Sequence, residues 1–150
     1  MPDGVGPDWQ TDESEPMDNI QRRAYELRFQ LRAGEVYDRV AKRLRAELYP
    51  PIELEARIVG VVGPLDLIAS AENALGAIRD TQGSEVVKQM LIEILEEWLT
   101  GMTLYRVCAE EHSPEWMLRA AIIAATRATE DLERLEDIIL ADQDDEDETN

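Results

Sequence analysis

The chain has 150 residues, a net charge of −18 and one cysteine. That length gives one domain with a sizeable core, and a lone cysteine excludes an internal disulfide framework. No apolar run reaches the roughly 18 residues needed to cross a membrane, and the first residues are acidic and polar, unlike a secretory signal, so a cytoplasmic protein without membrane association is expected.

The 33 acids face only 15 bases, of which Lys42 and Lys88 are the only lysines. An acidic surface poor in lysine suits a halophilic host, where salt screens the self-repulsion of the fold. A high-GC genome or an acidic binding protein would give the same composition. Hydrophobic residues make up 44% with a single phenylalanine, Phe29, so the core rests on Leu, Ile, Val and Ala.

Residues 1–16 carry Asp3, Asp8, Asp12, Glu13 and Glu15 and no base, which reads as a disordered acidic arm. Trp9, with Val5 nearby, interrupts it. An aromatic in an acidic arm suits a docking motif; folding back onto its own bundle is the plainer alternative.

The helical domain is expected over 17–141. Asp18 to Gln21 fits a loose capping box, with Ser14 and Pro16 as a rival start. The first helix then runs to Leu48 or Tyr49, where Pro50 and Pro51 stop it. Ile20, Ala24, Leu27 and Leu31 form an apolar stripe that Tyr37, Val40, Ala41, Leu44 and Leu48 extend. Gly34 marks a kink, a close approach or a break into two helices. Arg22, Arg28, Arg32, Arg39, Lys42 and Arg43 lie off the stripe. They could form a strip for an anionic partner, but the acid-first i,i+4 pairs Asp18–Arg22, Glu35–Arg39 and Asp38–Lys42 favour a solvated face with intrahelical pairs.

Residues 51–62 are ambiguous. Ile52, Leu54, Ala56 and Ile58 alternate as in a strand, yet a lone strand has nothing to pair with, and the preceding prolines suit a short helix. A helix over 64–79 is clearer, with Ile68, Ala71, Leu75 and Ile78 in register. Ser84 caps the next, where Val87, Met90, Leu91, Ile94, Leu95, Trp98 and Met102 keep an i, i+3, i+4 rule. Gly101 ends or bends it, with helical character continuing toward Glu111. Cys108 and His112, one turn apart, could offer two metal ligands, but no second Cys or His exists to complete a zinc site. A buried thiol and a surface imidazole are the ordinary reading, so no metal or cofactor is expected.

Ser113 and Pro114 open the last helix. Leu118, Ala121, Ala125, Ala128, Leu132, Leu135 and Ile139 form its seam, and Ile122 and Ile138 widen it. The alanine half lets a partner helix approach closely. The stripe is wider than one neighbour can bury, so either the first helix or a second subunit must cover it, and an association surface comprising Leu118, Ile122, Leu132, Leu135, Ile138 and Ile139 is expected. Residues 142–150 carry six acids and no base and read as a disordered tail.

The expected fold is therefore an all-α antiparallel bundle of five or six helices with disordered acidic tails. No catalytic motif is present. Glu93, Glu96 and Glu97, with Glu130, Glu133, Glu136 and Asp137, are spaced like the carboxylates of magnesium-dependent all-α nucleotide pyrophosphohydrolases, but Glu93, Glu96 and Glu97 lie opposite the apolar stripe of their helix and should face water, and Glu133 and Asp137 lie outside the seam, whereas a magnesium site needs carboxylates converging in a cleft. The reading that fits best is a non-catalytic assembly or adaptor protein working through a protein partner or self-association, of the plain kind seen among viral and mobile-element accessory proteins. A nucleic-acid ligand is not expected. An acidic nucleic-acid mimic that occupies a basic partner, and the magnesium-dependent hydrolase, stand as alternatives.

The charge balance generates a direct expectation. The melting temperature should rise with sodium chloride, because the screening length falls from about 30 Å at 0.01 M to about 3 Å at 1 M. Thermal melts across that range check it, and a flat response would show that self-repulsion does not limit the fold.

Overall fold

The structure is a computed structural model that describes residues 19–58, 60–110 and 113–149. Four α-helices account for most of them: α1 (Asn19–Glu47), α2 (Pro64–Ala77), α3 (Glu85–Glu110) and α4 (Glu115–Thr149), with a single 3-10 turn, Ile78–Asp80, after α2. The expected all-α class is observed; among the described residues there is no strand, and there are four α-helices where the expectation for the chain was five or six. Two glycines that could have broken a helix do not. Gly34 and Gly101 both sit within continuous helix.

The reason at Gly101 is a close helix crossing. A Cβ there would lie 3.3 Å from the Ala121 carbonyl oxygen and 3.4 Å from both the Ala124 methyl and Phe29 Cε1. The alanine half of the α4 stripe thus meets a glycine of α3. Beyond it the seam widens to Leu132, Leu135 and Ile139, all buried. Helix α3 runs antiparallel to α4, as the four-residue link between them requires. Helix α1 lies over both. Its cross-contacts with α4 advance together: Arg22 with Ser113, Arg32 with Thr126, Arg39 with Glu136. Those with α3 run in opposite senses, Arg22 with Cys108, Gln30 with Tyr105 and Ala33 with Trp98. So α1 is parallel to α4 and antiparallel to α3. The shorter α2 packs on α3 through Leu67, Ala71 and Ala74.

The face that α1 buries differs from the expected one over its first half. Phe29, Ala33, Val36, Tyr37, Val40 and Leu44 are inside. Ile20, Leu27 and Leu31 are 82%, 43% and 75% exposed. At 100° per residue these three lie opposite Phe29 and Val36, so the first half of α1 carries two apolar faces, and only the one holding the aromatic ring is buried.

Residues 51–58 are not helical. Ile52 and Leu54 pack against the core while Glu53 and Glu55 point out, so the period-two alternation read from the sequence holds only as far as Leu54; Ala56 and Ile58 are exposed. Their polar backbone finds partners elsewhere: Ile52 N–H donates to the Leu44 carbonyl, Glu55 N–H to Ser70 Oγ at 2.7 Å, and the Tyr37 hydroxyl to the Glu55 carbonyl. These non-local bonds replace the i→i+4 ladder. Arg57 then reaches α1, placing Nε and Nη2 3.1 and 2.7 Å from Asp38 Oδ1 and Oδ2. A Cβ on Gly34 would lie 2.9 Å from Arg57 Cζ. The close approach allowed for at Gly34 is that of a side chain.

The turn after α2 is held by one of the two lysines. Lys88 is 8% exposed, and its ammonium donates to the carbonyls of Thr81 (2.7 Å) and Arg79 (3.5 Å) and pairs with Glu85 at 3.3 Å. A cation at carbonyls that close a helical segment is the favourable sign for the helix dipole.

Helix α4 does not stop at Ala141. No glycine or proline follows, and the helix is continuous to Thr149, with residues 140–145 exposed. The N-terminal arm, Trp9 included, lies outside the described residues.

The two faces of α1 give a paired expectation. Leu44→Ala, at a fully buried position of α1, should cost about 2–5 kcal/mol, whereas Leu31→Ala should change stability by no more than about 0.5 kcal/mol. Chemical denaturation of both variants checks the assignment.

Candidate functional site

The surface of α1 is built from the basic strip and the unburied apolar stripe together. Four of the expected basic residues serve the fold. Arg22 donates to the Cys108 and Ser113 carbonyls, Arg32 donates to Thr126 Oγ1 at 3.1 Å, and Arg39 and Arg43 both reach the Glu136 carboxylate. Glu35–Arg39 forms as expected at 3.1 Å. Asp38 pairs with Arg57 in place of Lys42, because the 51–58 segment brings the arginine closer. Arg23, Arg28 and Lys42 remain exposed, without an ion pair among the described residues. Arg23 and Arg28 flank Ile20, Leu27 and Leu31 on opposite sides of the helix. Ile123 borders the same seam from α4, four residues after Arg119, which reaches Tyr25, and three before Thr126; it is 53% exposed.

The residues expected to associate are placed differently. Leu118, Ile122, Leu132, Leu135 and Ile139 are all buried within one chain. The width assigned to a second subunit is filled by α1, whose Val36, Val40 and Leu44 join the same core as the α4 seam. This corrects the expected α4 surface. Of that set only Ile138 is open, at 37% exposure. The stripe of Ile20, Leu27 and Leu31, expected inside, is instead the exposed face of α1.

A second feature is a cavity of about 360 Å³ between α1, α3 and the 57–62 segment. Phe29, Ala33, Trp98, Met102 and Leu67 give it apolar walls; Gln30, Arg57 and Tyr105 bring polar groups to it. Phe29 and Tyr105 stack with ring centroids 4.5 Å apart. Gln30 donates to the Tyr105 hydroxyl, and the Trp98 indole N–H donates to the Ala33 carbonyl at 2.9 Å. Burial pushes the Tyr105 phenol up from its ordinary value. The size falls at the lower end of small-ligand pockets.

The third is a carboxylate pair between α3 and α4. Glu97 is half-buried and hydrogen-bonded to Asp131, with Arg127, Glu130 and Arg134 around a shallow space. One Glu97 oxygen is buried without a hydrogen-bond partner. Burial first, and then the Asp131 carboxylate, push the Glu97 carboxyl up to about 8, so at neutral pH the pair holds a proton between its two acids. The expectation that Glu97 faces water is corrected. It falls seven residues after Met90 and four before Gly101, on the edge of the apolar stripe. Among the described residues no group of three His, Cys, Asp or Glu side chains is placed to hold a metal ion. Cys108 is a buried free thiol, pushed up by burial; His112 lies outside the described residues.

The chain matches no protein-family model, no curated protein and no solved structure.

The Glu97–Asp131 pair has a pH signature. The unfolded chain ionises Glu97 near the ordinary 4.5, and the fold retains the proton to about 8. Through that window the unfolded state binds fewer protons, so stability falls as pH rises, and it levels off above. Glu97→Gln removes this slope. Its melting temperature relative to the unmodified chain should therefore climb from about pH 5 to about pH 8 and then stay constant; thermal melts at fixed salt measure it.

Proposed function

We propose that the protein is a non-catalytic adaptor or assembly module that works by presenting the first half of α1 to another protein. The observation that carries this reading is the exposed stripe Ile20, Leu27 and Leu31, opposite the core face of its own helix and flanked by Arg23 and Arg28. An apolar strip alone serves many partners. Its arginine borders select one whose docking surface is apolar with an acidic rim, and the helix-face spacing suits another helix laid alongside. The sign of these borders is opposite to that of the whole chain. In a protein of net charge −18 most of the surface repels acidic partners, so a basic segment is where such a partner is admitted.

Because the α4 seam is buried, the contact surface proposed is on α1, and the proposed class of function stays that of an adaptor. The acidic-mimic reading would use the remaining surface, including Asp142, Asp144 and Asp145 along the exposed end of α4, toward a basic partner.

The test is a pair of chains, unmodified and Leu27→Glu with Leu31→Glu, used as bait in native lysate at the host's own salt and followed by light scattering alone. A discrete partner, or a self-assembled species, present with the first chain and lost with the second is expected, with circular dichroism unchanged. Retention of the same species by the double variant would remove α1 as the contact surface. Magnesium-dependent release of phosphate or pyrophosphate from nucleotides would replace the adaptor reading with the hydrolase.

A further inference from the structure

Helix α1 ends at Glu47, but α4, which runs parallel to it, goes on to Thr149. Within the chain the two are tied at Glu136, which takes Arg39 and Arg43. Leu140 and Asp144 stand one and two turns further along the same side of α4. Leu140 is 54% exposed, and Asp137, Ala141 and Asp144 around it are exposed too. The side of α4 that α1 covers as far as Glu136 thus continues uncovered, as a leucine with one acid before it and one after it.

The spacing of those acids fits a helix laid across. Asp137 and Asp144 are seven residues apart, about 10.5 Å along the axis at 1.5 Å per residue, and a helix with its side chains is about 10–12 Å wide. A helix crossing over Leu140 therefore meets an acid at each flank. The first half of α1 has the matching pattern. Leu27 and Leu31 are exposed on its outer face. Arg23 and Arg28, five residues apart, lie about 140° from each other around the helix at 3.6 residues per turn, one on each side of the leucines. Apolar surface meets apolar surface, and each arginine faces a carboxylate. A chain cannot make this contact with itself. Arg32 meets Thr126, which is fourteen residues or about 21 Å along α4 from Leu140, and Leu27 and Leu31 precede Arg32.

We propose that the partner of the α1 stripe is a second copy of this chain, whose α4 end, at Leu140 between Asp137 and Asp144, lies across Leu27 and Leu31. This rests on the reading of α1 as the contact surface and names what it contacts. The two surfaces differ and sit at different ends of the bundle. Each pair of copies therefore leaves one of each open, and the contact propagates head to tail into a filament or a closed ring. Two chains of charge −18 repel each other at low salt. At about 1 M the screening length of about 3 Å removes that repulsion and leaves groups in direct contact to attract.

Light scattering on the full chain in about 1 M sodium chloride tests this. The weight-average mass should climb with protein concentration past about twice that of one chain. Arg23→Glu with Arg28→Glu should give a monomer whose circular dichroism is unchanged. So should Asp137→Lys with Asp144→Lys, since each pair sets like charges against each other. Mixing these two chains should restore the assembly, and so should placing all four substitutions in one chain; that recovery separates a lost contact from a damaged fold. An unmodified chain that stays monomeric overturns the proposal. If that monomer still captures a lysate partner that Leu27→Glu with Leu31→Glu loses, the contact surface on α1 stands and only the second copy falls. Assembly that survives Asp137→Lys with Asp144→Lys overturns the proposal by placing the α1 stripe against another surface. Loss in both variants with no recovery on mixing overturns it as well, because the two sets of charges then do not face each other.

Discussion

The contact on which the rest of this structure depends is the crossing of α3 and α4 at Gly101. Because that residue has no side chain, the α4 backbone at Ala121 comes within van der Waals range of where a methyl would sit. Helices this close leave no room for a third element between them. Helix α1 must therefore lie in the groove above both, and it does so with Phe29, whose ring edge meets the same point. Along the seam the side chains grow from alanine to leucine and isoleucine, so the helices diverge, and the second half of α1 sinks in. Val36, Val40 and Leu44 are buried there. One narrow end and one wide end explain why α1 is deep over its second half and shallow over its first.

The polar ties follow from this placement. Parallel helices such as α1 and α4 gain nothing from their dipoles side by side, and the contact between them is edged by arginine. Arg22 closes on carbonyls near the α3–α4 corner, while Arg39 and Arg43 converge on Glu136. Exposed pairs of this kind contribute little singly, but those at Glu136 are largely sheltered from water and make several bonds to one carboxylate, which fixes the register of the two helices. Thus most of the basic strip belongs to the fold and leaves over Arg28 and Lys42; Arg28, together with Arg23, borders the apolar residues that the shallow half of α1 leaves outside.

Much of the helical architecture was legible in the sequence. The stripes of α2, α3 and α4 were each unambiguous, and the alanine run at Ala121, Ala125 and Ala128 correctly announced a close neighbour. The first half of α1 was not legible from period alone. Ile20, Leu27 and Leu31 keep helical spacing, and so do Phe29, Ala33, Val36 and Val40, half a turn away. Two faces satisfied one rule, and the only phenylalanine was the residue that could have decided between them. Residues 51–58 failed for another reason: their hydrogen bonds go to Leu44, Tyr37 and Ser70, partners that local propensity does not see. The pairing of Glu97 with Asp131 likewise depends on how α3 and α4 are rotated about their seam, a tertiary quantity, although both residues stand at the margin of an apolar stripe.

The burial of Lys88 has a chemical consequence for the surface. With its ammonium enclosed by carbonyls, Lys42 is the one exposed side-chain amine among the described residues, and the thiol of Cys108 is enclosed as well. The other described basic side chains at the surface are guanidinium groups, which keep their proton at any physiological pH. Acetylation could neutralise Lys42 and nothing else on α1. The positive borders of its apolar stripe are in this sense permanent: neither acyl transfer nor a change in acidity removes them, and the charge presented to a partner is the same wherever the protein is found.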